Sequence, residues 1–451
     1  MPEKSKEMAP EGQLALACPK ARECGACSLV GVPYEQQLAS KQHQLEQLFE
    51  GMAPAAAFLP IQGMESPFHF RTKVMSPFAP GRREAGGTRE SREKMQGRAV
   101  PAVSGKGGKR AKNAGGRASI LTGMYVKGTH RLVNTDGCPV EHEQANAVIV
   151  AIRRIMAAHG MEPYNEDAGT GFVRHAVVRV GHASGEMLVT LVTNGEEFTA
   201  SKAFCRELVK QCPGVTTVVQ NINTRATNVV LGDRERTLYG PGFILDTLCG
   251  LSFRISSRSF YQTNAMQTEV LYRTALRMAG LTGAETVIDA YCGTGTIGLV
   301  AAKGLPEAPE AHAARVVGVE SVASAVRDAQ LNARHNGIEN AQFVCADAAE
   351  FMETHARGSA VAANGDVKGA FDPSNTVLMM DPPRAGASER FLAAACALAP
   401  SRIVYISCNP HTQVRDCRSL LKAGYAIRQI QAVDMFPHTD HMESVVLLVR
   451  K

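Results

Sequence analysis

The chain has 451 residues, 45% of them apolar and 20% charged, with a formal net charge of +6. That length implies two or three domains and that composition a soluble globular protein, while the absence of any apolar run of 18 residues argues against a transmembrane helix. The first residues, Met1-Pro2-Glu3-Lys4-Ser5-Lys6-Glu7, lack the apolar core of a signal peptide, so a cytoplasmic protein is expected. In that compartment its twelve Cys argue against a disulfide framework and for metal or catalytic use of some of them.

Near the start stands Cys18-Pro-Lys-Ala-Arg-Glu-Cys24-Gly-Ala-Cys27, a C-x5-C-x2-C cluster. Three thiolates this close can hold one metal centre and want a fourth ligand, for which Cys138 in Asp136-Gly137-Cys138-Pro139 is the candidate. Four Cys suit either a [4Fe–4S] cluster or tetrahedral zinc, and spacing alone does not choose. A helix is expected over Tyr34–Phe49, with Leu38, Leu45, Leu48 and Phe49 on one face. Ser66–Met75 reads as a strand bearing Arg71 and Lys73 on one side. Between Gly81 and Arg117 lie 11 Lys/Arg, 3 Glu and nine Gly, a basic segment too poor in large apolar residues to bury a core. It is expected to be a disordered insertion, either a solvated loop or an arm that grips phosphates.

Ile120–Val126 is strand-like, and a helix follows over about Glu141–His159. Val173–Val180, Glu186–Thr193 and Val215–Asn221 have strand composition with turns between them, so residues 61–250 are expected to form an α+β, mainly antiparallel domain with few chemical signals of its own.

From about Leu251 strands alternate with helices, the pattern of a doubly wound sheet. Asp289-Ala-Tyr291-Cys-Gly293-Thr-Gly295-Thr296-Ile-Gly298 is a strand end, a glycine turn and a helix start. Its G-x-G-x-x-G would also suit a dinucleotide, but Asp289 just before the turn favours S-adenosylmethionine (SAM), which has no pyrophosphate. Glu320 ends the next strand, at the place for ribose hydroxyls, and Asp347 ends a third, suited to an adenine amino group. Asp381-Pro-Pro-Arg384 closes a fourth strand, where stiff prolines beside a carboxylate suit orienting a planar base. The strand after it, Arg402–Ile406, runs into Ser407-Cys408-Asn409-Pro410 and places Cys408 at a carboxyl strand end, where ligands bind in open α/β sheets. A thiol there is a candidate nucleophile if its environment lowers its pKa, and otherwise a small apolar residue closing a strand. Glu443 opens the last apolar strand, either solvated at an edge or a buried base.

Taken together, Ser259-Phe-Tyr-Gln262-Thr-Asn264, Asp289–Gly298, Asp381–Arg384, Ser407–Pro410 and the run from Phe436-Pro437-His438 to Glu443 resemble the SAM-dependent RNA (uracil-C5)-methyltransferases, over nearly the whole chain. The resemblance implies a C-terminal Rossmann-like methyltransferase domain (251–451), preceded by a cluster-ligand segment (1–60) and the central domain, without an N-terminal barrel. It implies SAM contacts at Gln262, Tyr291, Thr296, Glu320, Asp347 and Asp381, with Cys408 as nucleophile and Glu443 as base. Thr296 departs from the Asn common at that position, and the Gly81–Arg117 insertion is outside the usual pattern. The set Cys18, Cys24, Cys27 and Cys138 looks like the [4Fe–4S] site of the branch acting on 23S rRNA. The implied function is C5 methylation of a 23S rRNA uridine by a monomer, the alternatives being a tRNA uridine or an inactive RNA-binding assembly factor.

Overall fold

The β-branched and aromatic run Ile403–Ile406 lies in the strand Arg402–Ser407, and all four residues are buried. This strand sits inside an eight-stranded sheet whose order is Phe58–Gln62, Tyr425–Val433, Glu443–Arg450, Arg402–Ser407, Thr376–Met380, Thr286–Ala290, Arg315–Glu320, Ala341–Cys345. The computed structural model that gives this arrangement describes residues 15–81, 119–126, 128–356 and 371–451. All of the basic insertion except Gly81 lies outside them.

Four of these strands carry near-continuous apolar runs because both faces of the sheet are covered. One face takes Leu276 and Ala279 from the helix Ala265–Ala279, Leu299 and Val300 from Thr296–Lys303, and Val326 from Ala323–His335. The other takes Phe351 from Ala348–Ala356, Phe391 from Glu389–Leu398 and Cys417 from Pro410–Lys422. Leu45 and Phe49, both fully buried, join that second face from the end of the helix Tyr34–Leu48 and the residue after it.

The central sheet has six strands in the order Ile120–Thr122, Lys73–Pro80, Val173–Val180, Met187–Thr193, Val215–Ile222, Arg234–Tyr239. It is antiparallel as expected, apart from Met187–Thr193 with Val215–Ile222, which run parallel through the crossover helix Ser201–Gln211. That helix and Glu143–His159 cover one face, packing on Val74, Phe78, Val178, Val189 and Val218.

Four sequence expectations are corrected. The strand expected over 66–75 is Lys73–Pro80, and Arg71 makes only an isolated bridge with Glu141. Pro67 and a left-handed His69 (φ 53°) keep the earlier residues out of a ladder. Ile120–Val126 is broken at Gly123 (φ 145°) into Ile120–Thr122 and Met124–Tyr125. Leu251–Ser256 does not begin the doubly wound unit but pairs antiparallel with Phe243–Leu248. Its alternating burial marks a strand with one solvated face, unlike the strands of the large sheet. Finally, Phe58–Gln62, unassigned from sequence, is the edge strand beside Tyr425–Val433, so the sheets do not divide at the expected residues 60 and 61. Pro60, which lacks a donor, is tolerated because only one neighbour needs pairing.

Candidate active site

Cys408 and Glu443 are brought together by strand register. Arg402–Ser407 and Glu443–Arg450 run antiparallel with Ser407 opposite Ser444, so the residue after one strand meets the first residue of the other. A fully buried Gln413 holds this level: its amide donates to the Tyr405 carbonyl (2.8 Å) and its oxygen accepts from the Ser444 hydroxyl (2.6 Å). The neighbouring strand Thr376–Met380 aligns Met380 with Tyr405 and delivers Asp381 to the same edge. The Asn409 side chain then donates to the Arg384 carbonyl (3.1 Å), tying the Asp-Pro-Pro-Arg loop to the Cys408 loop.

The electrostatics are those of a dry acidic pocket. Burial raises the Asp381 carboxyl to about 7. Burial, then the Asp381 charge, holds the 3%-exposed Glu443 well above the usual carboxylate range. The Cys408 thiol is pushed up to about 11 by burial, then by Glu443 and Asp381, against the pull of Arg384. The environment therefore raises the Cys408 thiol where the sequence expectation for a nucleophile was a lowered one, so its proton has to be taken by a neighbouring group before the sulfur can attack.

The glycine turn lies beside this edge. Tyr291 adopts φ +64° and rests its ring 5.2 Å from Phe391, turning the chain into Gly293 and Gly295. Gly298 is needed for closeness: its N–H donates to the Asp289 carboxylate (2.9 Å), where a side chain would collide. At Gly293 a side chain would meet open space, and its N–H donates to Glu320 (3.2 Å). The Thr296 hydroxyl shares a 2.6 Å hydrogen bond with Tyr272. Burial raises Asp289 to about 7, with Asp381 and Glu320 adding to the effect. None of these three carboxylates forms an ion pair among the described residues, so together they favour a cationic ligand. Gln262 is half-buried on the loop before the helix Ala265–Ala279. Asp347 is exposed, capping the helix Ala348–Ala356 by accepting from the Glu350 N–H (3.0 Å).

The profile of the tRNA (Uracil-5-)-methyltransferase family matches residues 247–451. An uncharacterized RNA methyltransferase of Halalkalibacterium halodurans is 38% identical over 437 residues, covering 96% of this chain and 83% of the relative. One from Listeria monocytogenes is 37% identical over 432 residues, with the same two coverages. The chain belongs to the RNA (uracil-5-)-methyltransferase family. In structure it is similar to the tRNA (uracil-54, C5)-methyltransferase of Pyrococcus abyssi in complex with S-adenosyl-L-homocysteine, with TM-score 0.67, 25% identity, and 94% of this chain and 85% of that chain covered.

SAM is accordingly the methyl donor of this methyltransferase, and the residues present suit it: its sulfonium and ammonium charges answer three unpaired carboxylates, and the open space at Gly293 leaves room beside Glu320.

Sequence reasoning missed the scaffold that aims the last strand of the methyltransferase. Asp434, fully buried, accepts from the Lys41 ammonium (2.6 Å) and the Tyr34 hydroxyl (2.8 Å). His438, buried with φ +66°, shares hydrogen bonds with Gln37 (3.2 Å) and the Pro67 carbonyl (2.8 Å) and stacks on Phe68. A Gln and a Lys one turn apart on a surface-like helix gave no sign of this, because their partners lie some 400 residues away.

Cys18, Cys24, Cys27 and Cys138 line one cavity of ≈ 90 Å³, walled also by Phe436, Pro437 and Thr439 of the loop before Glu443. All four are half-buried and free of disulfides. Burial, then Cys138, pushes the Cys27 thiol up to about 11. Among the described residues, no three His, Cys, Asp or Glu converge closely enough to hold one metal ion.

Proposed function

We propose that this methyltransferase acts on C5 of a uridine in 23S rRNA, with Cys408 as nucleophile and Glu443 as base. The observation that carries the reading is the Ser407–Ser444 register, which sets thiol and carboxyl against each other beside Asp381.

Uracil C5 is a poor nucleophile. Attack of the Cys408 sulfur on C6 breaks the C5–C6 π bond and makes an enolate with electron-rich C5. SAM, when bound, supplies an electrophilic methyl group, which C5 takes. Glu443, as the carboxylate, then removes the C5 proton, the electrons re-form the double bond, and the Cys408–C6 bond breaks to release the thiolate. Before attack the thiol must lose its proton, and Asp381, raised to about 7, is the neighbouring group that titrates near neutrality. Arg384, whose charge favours the thiolate, assists that loss. Gln262, Tyr291, Thr296, Glu320, Asp347 and Asp381 hold the donor. The target base must leave its stack, which is easiest from a loop or bulge.

The rRNA assignment rests on the four-Cys pocket, read as a [4Fe–4S] site. One tetrahedral zinc needs four sulfurs about 2.3 Å from a single point. What supports the reading is that the four sulfurs line one cavity, with a spacing that suits a [4Fe–4S] cluster or zinc alike. Protein purified without oxygen is expected to carry iron and sulfide, and zinc in their place would contradict the cluster. The Pyrococcus abyssi enzyme, named for tRNA, supports a tRNA uridine as the second reading. Transcripts of 23S rRNA and of tRNAs, incubated with isotopically labelled SAM and digested to nucleosides, separate the two. Labelled 5-methyluridine from 23S rRNA is expected. Label confined to tRNA would transfer the assignment, and none in either RNA while SAM binds would contradict the activity.

A further inference from the structure

The face of the central sheet opposite its two helices carries a pattern that the methyl-transfer site does not use. Lys73, Met75 and Pro77 stand on it, paired in register with Arg179, Val177 and His175. Lys73 to Pro77 spans about 13 Å along the strand.

The first rung lies against the loop that bears Gln262. The Thr72 N–H donates to the Thr263 carbonyl (2.8 Å), and the Arg179 guanidinium donates to the Ser259 carbonyl (2.5 Å). Lys73 and Arg179 are held together without a carboxylate among the described residues, and the Arg179 Nε is buried with no partner. Burial, then Arg179, lowers Lys73 to about 8. Two cations facing each other call for an anion between them.

The last rung opens into a groove of ≈ 690 Å³. Its walls are mixed, with the apolar and aromatic Met75, Met124, Tyr125 and Val229 beside the polar His130, Glu166 and Asn228. Met75 and Val229 are 42% and 54% exposed, so their apolar surface is open to a ligand in the groove. At the back stand His175 and Arg174, 7% and 2% exposed, with His175 Nδ1 and Arg174 Nε buried and unpartnered. Native structures satisfy such atoms, so His175 Nδ1 in the groove lining is left for a ligand, whereas Arg174 is already held by two carbonyls, Glu166 and the Tyr164 ring. The groove's net charge is low, because Arg174 donates to two backbone carbonyls and reaches Glu166 at 3.5 Å, while burial lowers His175 to about 4 and keeps it neutral. A flat, neutral partner with hydrogen-bonding edges suits the groove better than a phosphate does.

We propose that this groove holds an unpaired base of the substrate RNA, a neighbour of the target uridine, with the connecting phosphate lying on Lys73 and Arg179. Tyr125 supplies a ring face for stacking, the two Met adapt to the base, and His175 meets its edge. The inference rests on RNA being the substrate of the Cys408 site and applies to rRNA and tRNA alike.

The test is photocrosslinking of the full chain, with SAM, to 23S rRNA and tRNA transcripts substituted throughout with 4-thiouridine, followed by peptide mapping. Crosslinks are expected in 73–77, 124–130 and 227–230, besides those around Cys408. Crosslinks around Cys408 alone would overturn the groove while leaving the reaction intact. Crosslinks in the groove with none around Cys408 would also contradict the proposal, because the groove base is placed as a neighbour of the uridine at that site, and none anywhere would sink both. Val229→Glu and Met75→Glu change exposed side chains and leave the fold unstressed. Each is expected to raise the KM for RNA about tenfold, as losing one stacked base does, with SAM affinity held. An unchanged KM in both would contradict the proposal.

Discussion

Asp434 and Glu443 lie nine residues apart at the same end of the large sheet, and both are buried, at 0% and 3% exposure. Asp434 has an ammonium at 2.6 Å and a phenol at 2.8 Å. Among the described residues Glu443 has no cation, only Asp381, which resists its ionisation. Burial is therefore not what makes a carboxyl reactive here. A buried acid whose lone pairs are filled holds the loop in place, whereas one left beside a second acid and a thiol has its protons available for chemistry.

The largest expected effect breaks the reactive side outright. Cys408→Ala should lower turnover by about 10⁴-fold or more, with SAM affinity unchanged in equilibrium binding. Glu443→Gln should cost about 10²–10⁴-fold in turnover while the attack step survives, so a methylated protein–RNA adduct builds up in denaturing gels. Normal turnover of that variant would remove Glu443 as the base. On the partnered side, Lys41→Met leaves Asp434 charged with only the Tyr34 hydroxyl and should destabilise the fold by about 3–5 kcal/mol in denaturant titrations. Adding Asp434→Leu should recover most of that loss.

Two weaker effects sharpen the contrast. Single-turnover methylation should rise with pH through about 7, as Asp381 loses its proton, and Asp381→Asn should flatten that rise. Stability should depend on pH through Glu443. The Glu443 carboxyl titrates in the ordinary acid range when unfolded and well above it when folded. Its cost to the fold is therefore absent at low pH and grows as pH rises toward the folded value. Glu443→Gln should raise the Tm by about 2 °C or more at pH 8 and by less at pH 5, and no difference between the two would contradict the buried, unpaired state.

The sheet edge that carries Cys408, Asp381 and Glu443 was legible in the sequence, because strand ends, glycine turns and prolines are local signals. Ile403–Ile406 and the acids closing successive strands marked the sheet edge, and the Ser-Cys-Asn-Pro and Asp-Pro-Pro-Arg runs named their own turns. The scaffold was not, because Lys41, Gln37 and Tyr34 acquire meaning only from partners at the far end of the chain. Leu251–Ser256 was misassigned because a five- or six-residue apolar alternation does not say which sheet it joins. Phe58–Gln62 was missed because an edge strand needs only half the signal.

The most direct measurement of the central claim is adduct formation with RNA containing 5-fluorouridine, whose C5 fluorine cannot leave as a proton. Incubated with SAM, the wild-type chain should form a denaturation-resistant complex with 23S rRNA, its sulfur-linked peptide containing Cys408, and Cys408→Ala should form none. An adduct that persists in Cys408→Ala, or its absence with both 23S rRNA and tRNA under conditions where SAM binds, would contradict the account.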